Sequence, residues 1–259
     1  EGATLWQILF WRQLFFVILV SIFLLFTYKK KVFLALYESG MPGFFGGIIL
    51  GCGFSSYVFA MYNTTIANAN FIIQTQAIFL AIFGYLFLKE KISKTTLASI
   101  ILAISGIILM VGSSLSPGEL SGNLVAFVMP SSFAVLIIII RKYPNVDMIP
   151  LQLIAGIVAT LVGYFISTKI NISTNDLLLA FVAGFFQVGF GFIFITIGAK
   201  KTLSAMVGIL MMTEAVLGPL WAWIFLNEAP QYIALIGGTI VIIAVFIQLY
   251  SLLKKEKKT

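Results

Sequence analysis

The chain has 259 residues, of which 61% are hydrophobic and only 10% are charged. Soluble globular domains carry about 25% charged residues and disordered chains are poor in hydrophobic residues, so this composition excludes both classes. The single cysteine excludes a disulfide scaffold, and a sequence without histidine lacks the commonest general base and a frequent metal ligand. The net charge of +7 does not indicate nucleic-acid binding, because the basic residues lie in short runs between long apolar stretches.

Long apolar stretches follow one another along the whole chain. A helix needs roughly 20 apolar residues to cross a hydrocarbon core, and it satisfies its own backbone hydrogen bonds in lipid. We therefore predict an all-α polytopic membrane protein with nine transmembrane helices. In chain order these first to ninth spans cover residues 5–26, 40–62, 66–88, 95–112, 121–140, 150–168, 177–199, 203–226 and 232–253.

The lysines and arginines between the spans predict the orientation, because cytoplasmic loops carry an excess of positive charge. If alternate loops share one side, that side receives fourteen of the sixteen basic residues, and the exceptions are Lys169 and Arg12. The first residue is then outside and the C-terminus is cytoplasmic. We expect a multi-pass protein of the plasma (inner) membrane.

An internal repeat appears when the chain is compared with itself at an offset of 138 residues. Residues 43–91 then contain eleven identities, including Gly46 with Gly184, Thr75 with Thr213 and Glu90 with Glu228. The charge pattern makes the third span and its partner, the eighth, run in opposite directions. Such inverted repeats are typical of secondary transporters, which hold substrate near the membrane midplane. We expect two five-helix repeats, residues 1–120 and 121–259, with the first helix of the first repeat preceding Glu1.

Two segments resemble the EamA family of the drug/metabolite transporter superfamily. They are TEAVLGPLWAWIFLNEAPQYIALIGGTIVI, residues 213–242, and its first-half copy TQAIFLAIFGYLFLKEKI, residues 75–92. Glu90 and Glu228 occupy the position of the family's glutamate at the end of this helix, and FWRQLFF, residues 10–16, is similar to the pattern of its second helix. The chain departs from the family where Ala215 replaces a proline.

The resemblance implies a transporter of small organic solutes such as amino acids, metabolites or drugs, most often an exporter. It also implies a central cavity lined by the second, third, fifth, seventh and eighth spans. The expected partners are a small-molecule solute and the lipid bilayer, with no nucleic acid, and a homodimer stays open. No cofactor or metal is expected. The sequence indicates neither the cargo nor the coupling ion.

Two ionisable residues lie inside predicted spans. Glu214 is eleven residues into the eighth span, about 17 Å along a helix with a 1.5 Å rise. An acid costs about 2.5–3.5 kcal/mol at that depth, so we expect a protonated or paired carboxyl. Glu214 either bonds to a neighbouring helix or binds cargo or a proton. Arg12 either extends to the membrane surface or faces the cavity and pairs with Glu214 or an anionic group of the cargo.

Several uncharged polar residues are further candidates. Asn70 and Gln74 share a face of the third span, and Gln76 is the repeat partner of Glu214. These amides serve either interhelical contacts or ligand binding. The remaining candidates for substrate binding are Gln187 in the seventh span, the aromatic Tyr57, and Ser131 and Ser132, which follow Pro130 in an interrupted or simply kinked fifth span. For Glu90 and Glu228 a capping role is favoured.

Two other function classes fit the sequence less well. An intramembrane enzyme needs a nucleophile with its base, a metal cluster or paired acids, and the residues present cannot assemble any of these. A phosphate-binding GxxxxGK[ST] loop for ATP hydrolysis does not occur. The alternative to a transporter is a transport-inactive membrane sensor or scaffold.

Overall fold

The computed structural model describes residues 2–64, 66–111, 120–226 and 232–256. This part of the chain is helical and contains no strand. The helices, numbered in chain order, are α1 (Leu5–Tyr28), α2 (Val32–Glu38), α3 (Gly40–Asn63), α4 (Ile66–Gln74), α5 (Gln76–Leu88), α6 (Lys94–Val111), α7 (Leu120–Ala126), α8 (Val128–Lys142), α9 (Ile149–Ile166), α10 (Thr174–Phe181), α11 (Gly191–Ala199), α12 (Ser204–Met211), α13 (Thr213–Leu226) and α14 (Tyr232–Glu256).

Seven helical segments of the described chain are long and apolar enough to cross a membrane. They are Leu5–Glu38, Gly40–Asn63, Asn68–Leu88, Leu120–Lys142, Ile149–Ile166, Thr174–Ala199 and Tyr232–Ser251. Two further apolar helical stretches, Lys94–Met110 and Ser204–Leu217, lie at the positions of the predicted fourth and eighth spans. Helix α13 extends the second of them to Leu226. The protein is a polytopic membrane protein, and the count of nine spans stays a prediction.

Three of the spans contain a short interruption of the helix. The breaks lie at Thr75 between α4 and α5, at Phe127 between α7 and α8, and at Met212 between α12 and α13. At the first break the Thr75 hydroxyl donates to the Ile72 carbonyl at 2.5 Å. At the third break the Thr213 hydroxyl donates to the Leu210 carbonyl at 2.7 Å. Such bonds to the backbone compete with regular helix geometry, in agreement with the interruptions at these two points.

Contacts between loops and helix ends define the two ends of the bundle. At one end Arg141, near the end of α8, contacts Glu90, after α5, and Asp147 contacts both Tyr28 and Lys200. We call this the basic end, because Lys29–Lys31, Lys89 and Lys142 lie at the same helix ends. At the opposite end the backbone N–H of Leu5 donates to the Tyr62 hydroxyl, and the Gln7 amide donates to the carbonyls of Lys169 and Asn171.

Glycines bring pairs of helices into backbone contact. A Cβ atom at Gly47 of α3 would lie 2.7 Å from the Leu151 carbonyl oxygen in α9, and one at Gly51 would lie 2.8 Å from the Ala155 carbonyl oxygen. In the same way Gly106 of α6 and Gly237 of α14 each face the other's carbonyl oxygen. In lipid, where helices gain little from apolar burial, such close packing is a main source of association.

Candidate functional site

A cavity of about 420 Å³ lies between the helices. Most of its wall comes from the halves of the helices nearer to the end opposite the basic end, whereas Phe133, Phe192 and Met211 lie nearest to the basic end. The lining residues are Arg12, Phe54, Tyr57, Asn70, Ile73, Gln74, Gln76, Ile107, Met110, Met129, Phe133, Gln187, Val188, Phe192, Met211, Glu214, Ala215 and Ala234.

Most of the predicted site residues meet in this one cavity, although they come from five different spans. Those that line it are Arg12, Tyr57, Asn70, Gln74, Gln76, Gln187 and Glu214. The structure therefore places the mid-span polar residues toward protein and cavity. Their use in binding a solute is a separate matter and stays a prediction.

Ser131 and Ser132 are not among the lining residues. The Ser131 hydroxyl donates to the Phe127 carbonyl at 2.8 Å, and the Ser132 hydroxyl donates to the Val128 carbonyl at 2.6 Å. Ser132 is also buried against Gly53 of α3. The helix is interrupted at Phe127, three residues before Pro130. The two hydroxyls nevertheless bond to their own helix, and Met129 and Phe133 line the cavity in their place.

The two charged side chains among the lining residues are Arg12 and Glu214. No ion pair joins them among the described residues, whose ion pairs are Arg141 with Glu90 and Lys200 with Asp147. Tyr57 lies close enough to interact electrostatically with both charged groups. The cavity thus presents a cation and an acid that form no ion pair with each other, and the Tyr57 phenol lines the same cavity.

Several polar atoms of the cavity wall have no hydrogen-bond partner among the described residues. They include Nε of Arg12, Oε1 of Gln74 and Nε2 of Gln76, all of which are buried. In contrast, the Tyr57 hydroxyl makes a weak bond to Oδ1 of Asn70 at 3.4 Å. Because buried polar groups are normally hydrogen-bonded, the free atoms are suited to a polar solute or water.

An aromatic cluster forms the wall that lies toward the basic end. The ring of Phe192 packs edge to face on Phe54 at 5.1 Å and on Phe133 at 6.0 Å. The amide of Gln152, buried in α9, donates to the Phe192 carbonyl at 2.7 Å and also to the Thr196 hydroxyl. These contacts fix the rings, so this wall is rigid and apolar.

Gln187 reaches the cavity from a π-helical segment, Val182–Phe190, between α10 and α11. A π-helix is wider than an α-helix and often occurs at functional sites. The segment also approaches α1 closely, since a Cβ atom at Gly184 would overlap the Arg12 carbonyl oxygen. Gly191, which directly follows the segment, has nothing within 4 Å of its Cβ position.

Sequence reasoning did not select the methionines of the cavity, Met110, Met129 and Met211. Their flexible thioethers adapt to ligands of different shape. No sequence signal distinguishes them from apolar residues that face lipid. Glu90 lies at the basic end outside the cavity, and Glu228 lies outside the described residues.

Membrane-spanning helices around a cavity lined by charged and amide groups define a multi-pass membrane protein with the architecture of a membrane transporter. The sequence pattern of the EamA-like transporter family matches residues 1–112 and 116–250. The chain belongs to this family, and the predicted resemblance is confirmed.

Individual relatives agree with the family. A protein of Methanothermobacter thermautotrophicus described as an uncharacterized transporter is 24% identical over 199 residues, which are 71% of this chain and 57% of the relative. The chain thus spans little more than half the length of this relative. An uncharacterized transporter of Clostridium kluyveri is 24% identical over 242 residues, which are 87% of this chain and 76% of the relative.

The fold also matches a solved structure. A protein crystal structure superimposes with a TM-score of 0.81 at 17% sequence identity, covering 95% of this chain and 88% of the other. Identity this low supports the fold alone. The family is one of transporters and not of enzymes, in agreement with the exclusion of an enzyme drawn from composition.

Proposed function

We propose that the protein is a secondary transporter that exports small amphoteric organic solutes, such as amino acids, across the plasma (inner) membrane by alternating access. The observation that carries this proposal is the cavity in which Arg12 and Glu214 stand apart without pairing. Placing a charged side chain inside a membrane costs free energy, so such residues are rare and usually have a function.

The cavity matches a solute with three chemical parts. Arg12 suits a carboxylate, because guanidinium binds carboxylate in a planar two-bond geometry. Glu214 suits an ammonium group. The amides of Asn70, Gln74 and Gln187 can form further hydrogen bonds with the carboxylate and the ammonium group of the solute. The wall of Phe54, Phe133 and Phe192 suits an apolar side chain. A zwitterion with an apolar substituent satisfies all three at once.

Alternating access needs two halves that can rock about the cavity. We propose that these are the inverted repeats of residues 1–120 and 121–259. In support, α5 ends at the basic end, whereas α12, the start of its repeat partner, begins there. The hydroxyl bonds of Thr75 and Thr213 occur at corresponding positions, and the breaks at Thr75 and Met212 correspond to within one residue.

The basic end is then cytoplasmic by the distribution of positive charge, and so is the C-terminus. Because most cavity-lining residues lie toward the other end, we infer that the conformation faces outward. Export would load the solute after the basic end opens and release it in the present conformation. Protonation of Glu214 is the coupling step that we propose to test.

The proposal can be tested with purified full-length protein. A ligand that binds only the folded state raises apparent stability, by about 2.7 kcal/mol at a hundred times its Kd. We expect apolar zwitterionic amino acids to raise the thermal unfolding midpoint, and their amides or amines, which lack the carboxylate, to do so less. In proteoliposomes we expect Arg12→Ala and Glu214→Gln to abolish most flux of the stabilising solute, with and without a proton gradient.

The matched controls are Lys169→Gln and Glu38→Gln, which remove one charge of the same sign from exposed positions and should leave flux unchanged. Unchanged flux in both cavity variants would refute the site. Stabilisation without flux in the parent protein would instead favour a sensor or scaffold.

A further inference from the structure

The strongest polar cluster outside the cavity lies at the basic end, around the carboxylate of Glu90. Its Oε1 accepts a hydrogen bond from Nε of Arg141 at 2.5 Å. Its Oε2 accepts one from the backbone N–H of Ser204 at 3.0 Å, and the Ser204 hydroxyl lies 3.3 Å from Oε1. Arg141 also donates to the Thr202 carbonyl. One carboxylate thus binds three donors from the other half of the chain.

The cluster caps the N-terminus of α12. Ser204 is the first residue of that helix, and the residue before it, Leu203, offers no side-chain cap. A carboxylate at this position satisfies a free N–H and interacts favourably with the positive end of the helix dipole. Glu90, which follows α5, therefore caps the start of α12 and links the two helices.

The backbone around Glu90 is shaped for this contact. Lys89 adopts a left-handed conformation with φ of 55°, and the Glu90 N–H donates to the Gly84 carbonyl at 3.0 Å. A Cβ atom at Gly84 would lie 2.8 Å from Oε2 of Glu90. The chain thus turns back over α5, and glycine leaves the space that the carboxylate occupies.

The same two helices pack closely against each other between the cavity and the basic end. A Cβ atom at Gly208 of α12 would lie 2.6 Å from the Cα of Ala77 in α5. One turn nearer to Glu90, Ala81 packs in one apolar cluster with Ala205 and Ile209. A solute that moves from the cavity to the basic end along these helices has to part α5 from α12, and that movement separates Glu90 from Ser204 and Arg141.

We propose that Glu90, Arg141 and Ser204 form a latch that holds the basic end of the transport path shut and has to break for that end to open. The latch deepens the proposed function and rests on it, since a path closed at one end is useful only to a protein that opens there in turn. Arg141 and Glu90 are only 17% and 11% exposed, so water and salt screen their attraction less than at the surface.

The test measures opening directly, without any cargo. In full-length protein with Cys52→Ser, the substitution Ala81→Cys places one thiol at the buried interface between α5 and α12. Reconstituted vesicles whose basic end faces the medium are treated with a membrane-impermeant maleimide. We expect Glu90→Gln to increase the labelling rate about tenfold, because a charge-assisted hydrogen bond is lost.

Two controls remove the same charges at the same end without touching the latch. They are Glu38→Gln and Lys142→Gln, which alter exposed side chains and should leave labelling of the buried thiol unchanged. Arg141→Gln removes the cation of the latch and should increase that labelling. Arg141→Lys keeps the charge but cannot bond to both Glu90 and Thr202 in the same planar geometry, and it should give a smaller increase. This variant also serves if Glu90→Gln does not fold.

Labelling that stays at the parent rate in folded Glu90→Gln, or in Arg141→Lys if only that variant folds, overturns the latch. Solute flux is assayed separately in the parent protein. If the parent protein shows no flux but the latch variants are labelled faster, the proposed function is refuted and the latch remains as a conformational lock. If the parent protein shows normal flux but labelling of the latch variants is unchanged, the latch alone is refuted.

Discussion

Nε of Arg12 has no hydrogen-bond partner among the described residues. No bond at this atom holds the side chain in the cavity wall, so its position depends on the backbone of α1. The contact that places it is Gly184 of the π-helical segment, where a Cβ atom would overlap the Arg12 carbonyl oxygen. A backbone oxygen cannot swing away as a flexible side chain can. The geometry of α1 beside the cavity therefore depends on the absence of a side chain at residue 184.

We predict that Gly184→Ala lowers the free energy of unfolding by about 1–3 kcal/mol, as overpacking does, and weakens binding of any solute carboxylate through the displaced Arg12. Thermal unfolding of the purified protein with and without solute measures both effects. Gly191→Ala is the matched control, since it adds the same methyl group one residue after the same segment into open space. Equal unfolding midpoints for the two variants would contradict this account.

At the residue scale the sequence predicted the polar wall and missed much of the apolar wall. Mid-span amides and charges have few stable positions in lipid, so Gln74, Gln187 and Glu214 could be assigned to protein or cavity from hydropathy alone. Ser131 and Ser132 are different, because a hydroxyl can bond to its own helix backbone and needs no cavity. Met129 and Phe133 carry no such signal.

At the element scale, α6 and α14 are a closely packed helix pair that meets through Gly106 and Gly237. A Cβ atom at Gly237 would overlap the Gly106 carbonyl oxygen. We predict that Gly237→Leu forces the two helices apart and lowers the unfolding midpoint markedly, since packing is the main attraction between helices in lipid. Gly198→Ala, at an exposed site with open space, should leave stability unchanged or raise it by up to about 1 kcal/mol. Differential scanning fluorimetry in one detergent compares both, and an unshifted Gly237→Leu would exclude tight glycine packing.

Hydropathy located the long described helices of the bundle but not their internal geometry. The π-helical segment around Gln187 has the same apolar composition as an α-helix, so a shift from four-residue to five-residue hydrogen bonding leaves no mark in the sequence. Helix α2 was also missed. It follows the basic run Lys29–Lys31, and Ala35 is its buried residue, whereas Phe33 and Tyr37 are exposed. An apolar helix placed this way suits the membrane interface.

At the scale of the whole molecule two independent kinds of observation support the proposed inverted arrangement. The offset of 138 residues relates the sequences of the halves, and the contacts at the basic end fit corresponding helices that run in opposite directions. The contacts of equivalent glycines agree: Gly51 packs on Val158 of α9, and Gly189, its repeat partner, packs on Leu19 of α1.

The arrangement predicts where each loop lies relative to the bilayer. In a Cys52→Ser background, Lys91→Cys and Lys201→Cys introduce exposed thiols after α5 and after α11, and Lys169→Cys introduces one after α9. We expect an impermeant thiol reagent added to intact cells to label the Lys169→Cys variant alone, and the other two variants to react only after the membrane is opened. The three replaced lysines are exposed and their side chains form no ion pair with the described residues, so the fold should tolerate each change. Labelling of the Lys91→Cys and Lys201→Cys variants from opposite faces would place α5 and α12 parallel, which is incompatible with inverted halves and with a latch at one end.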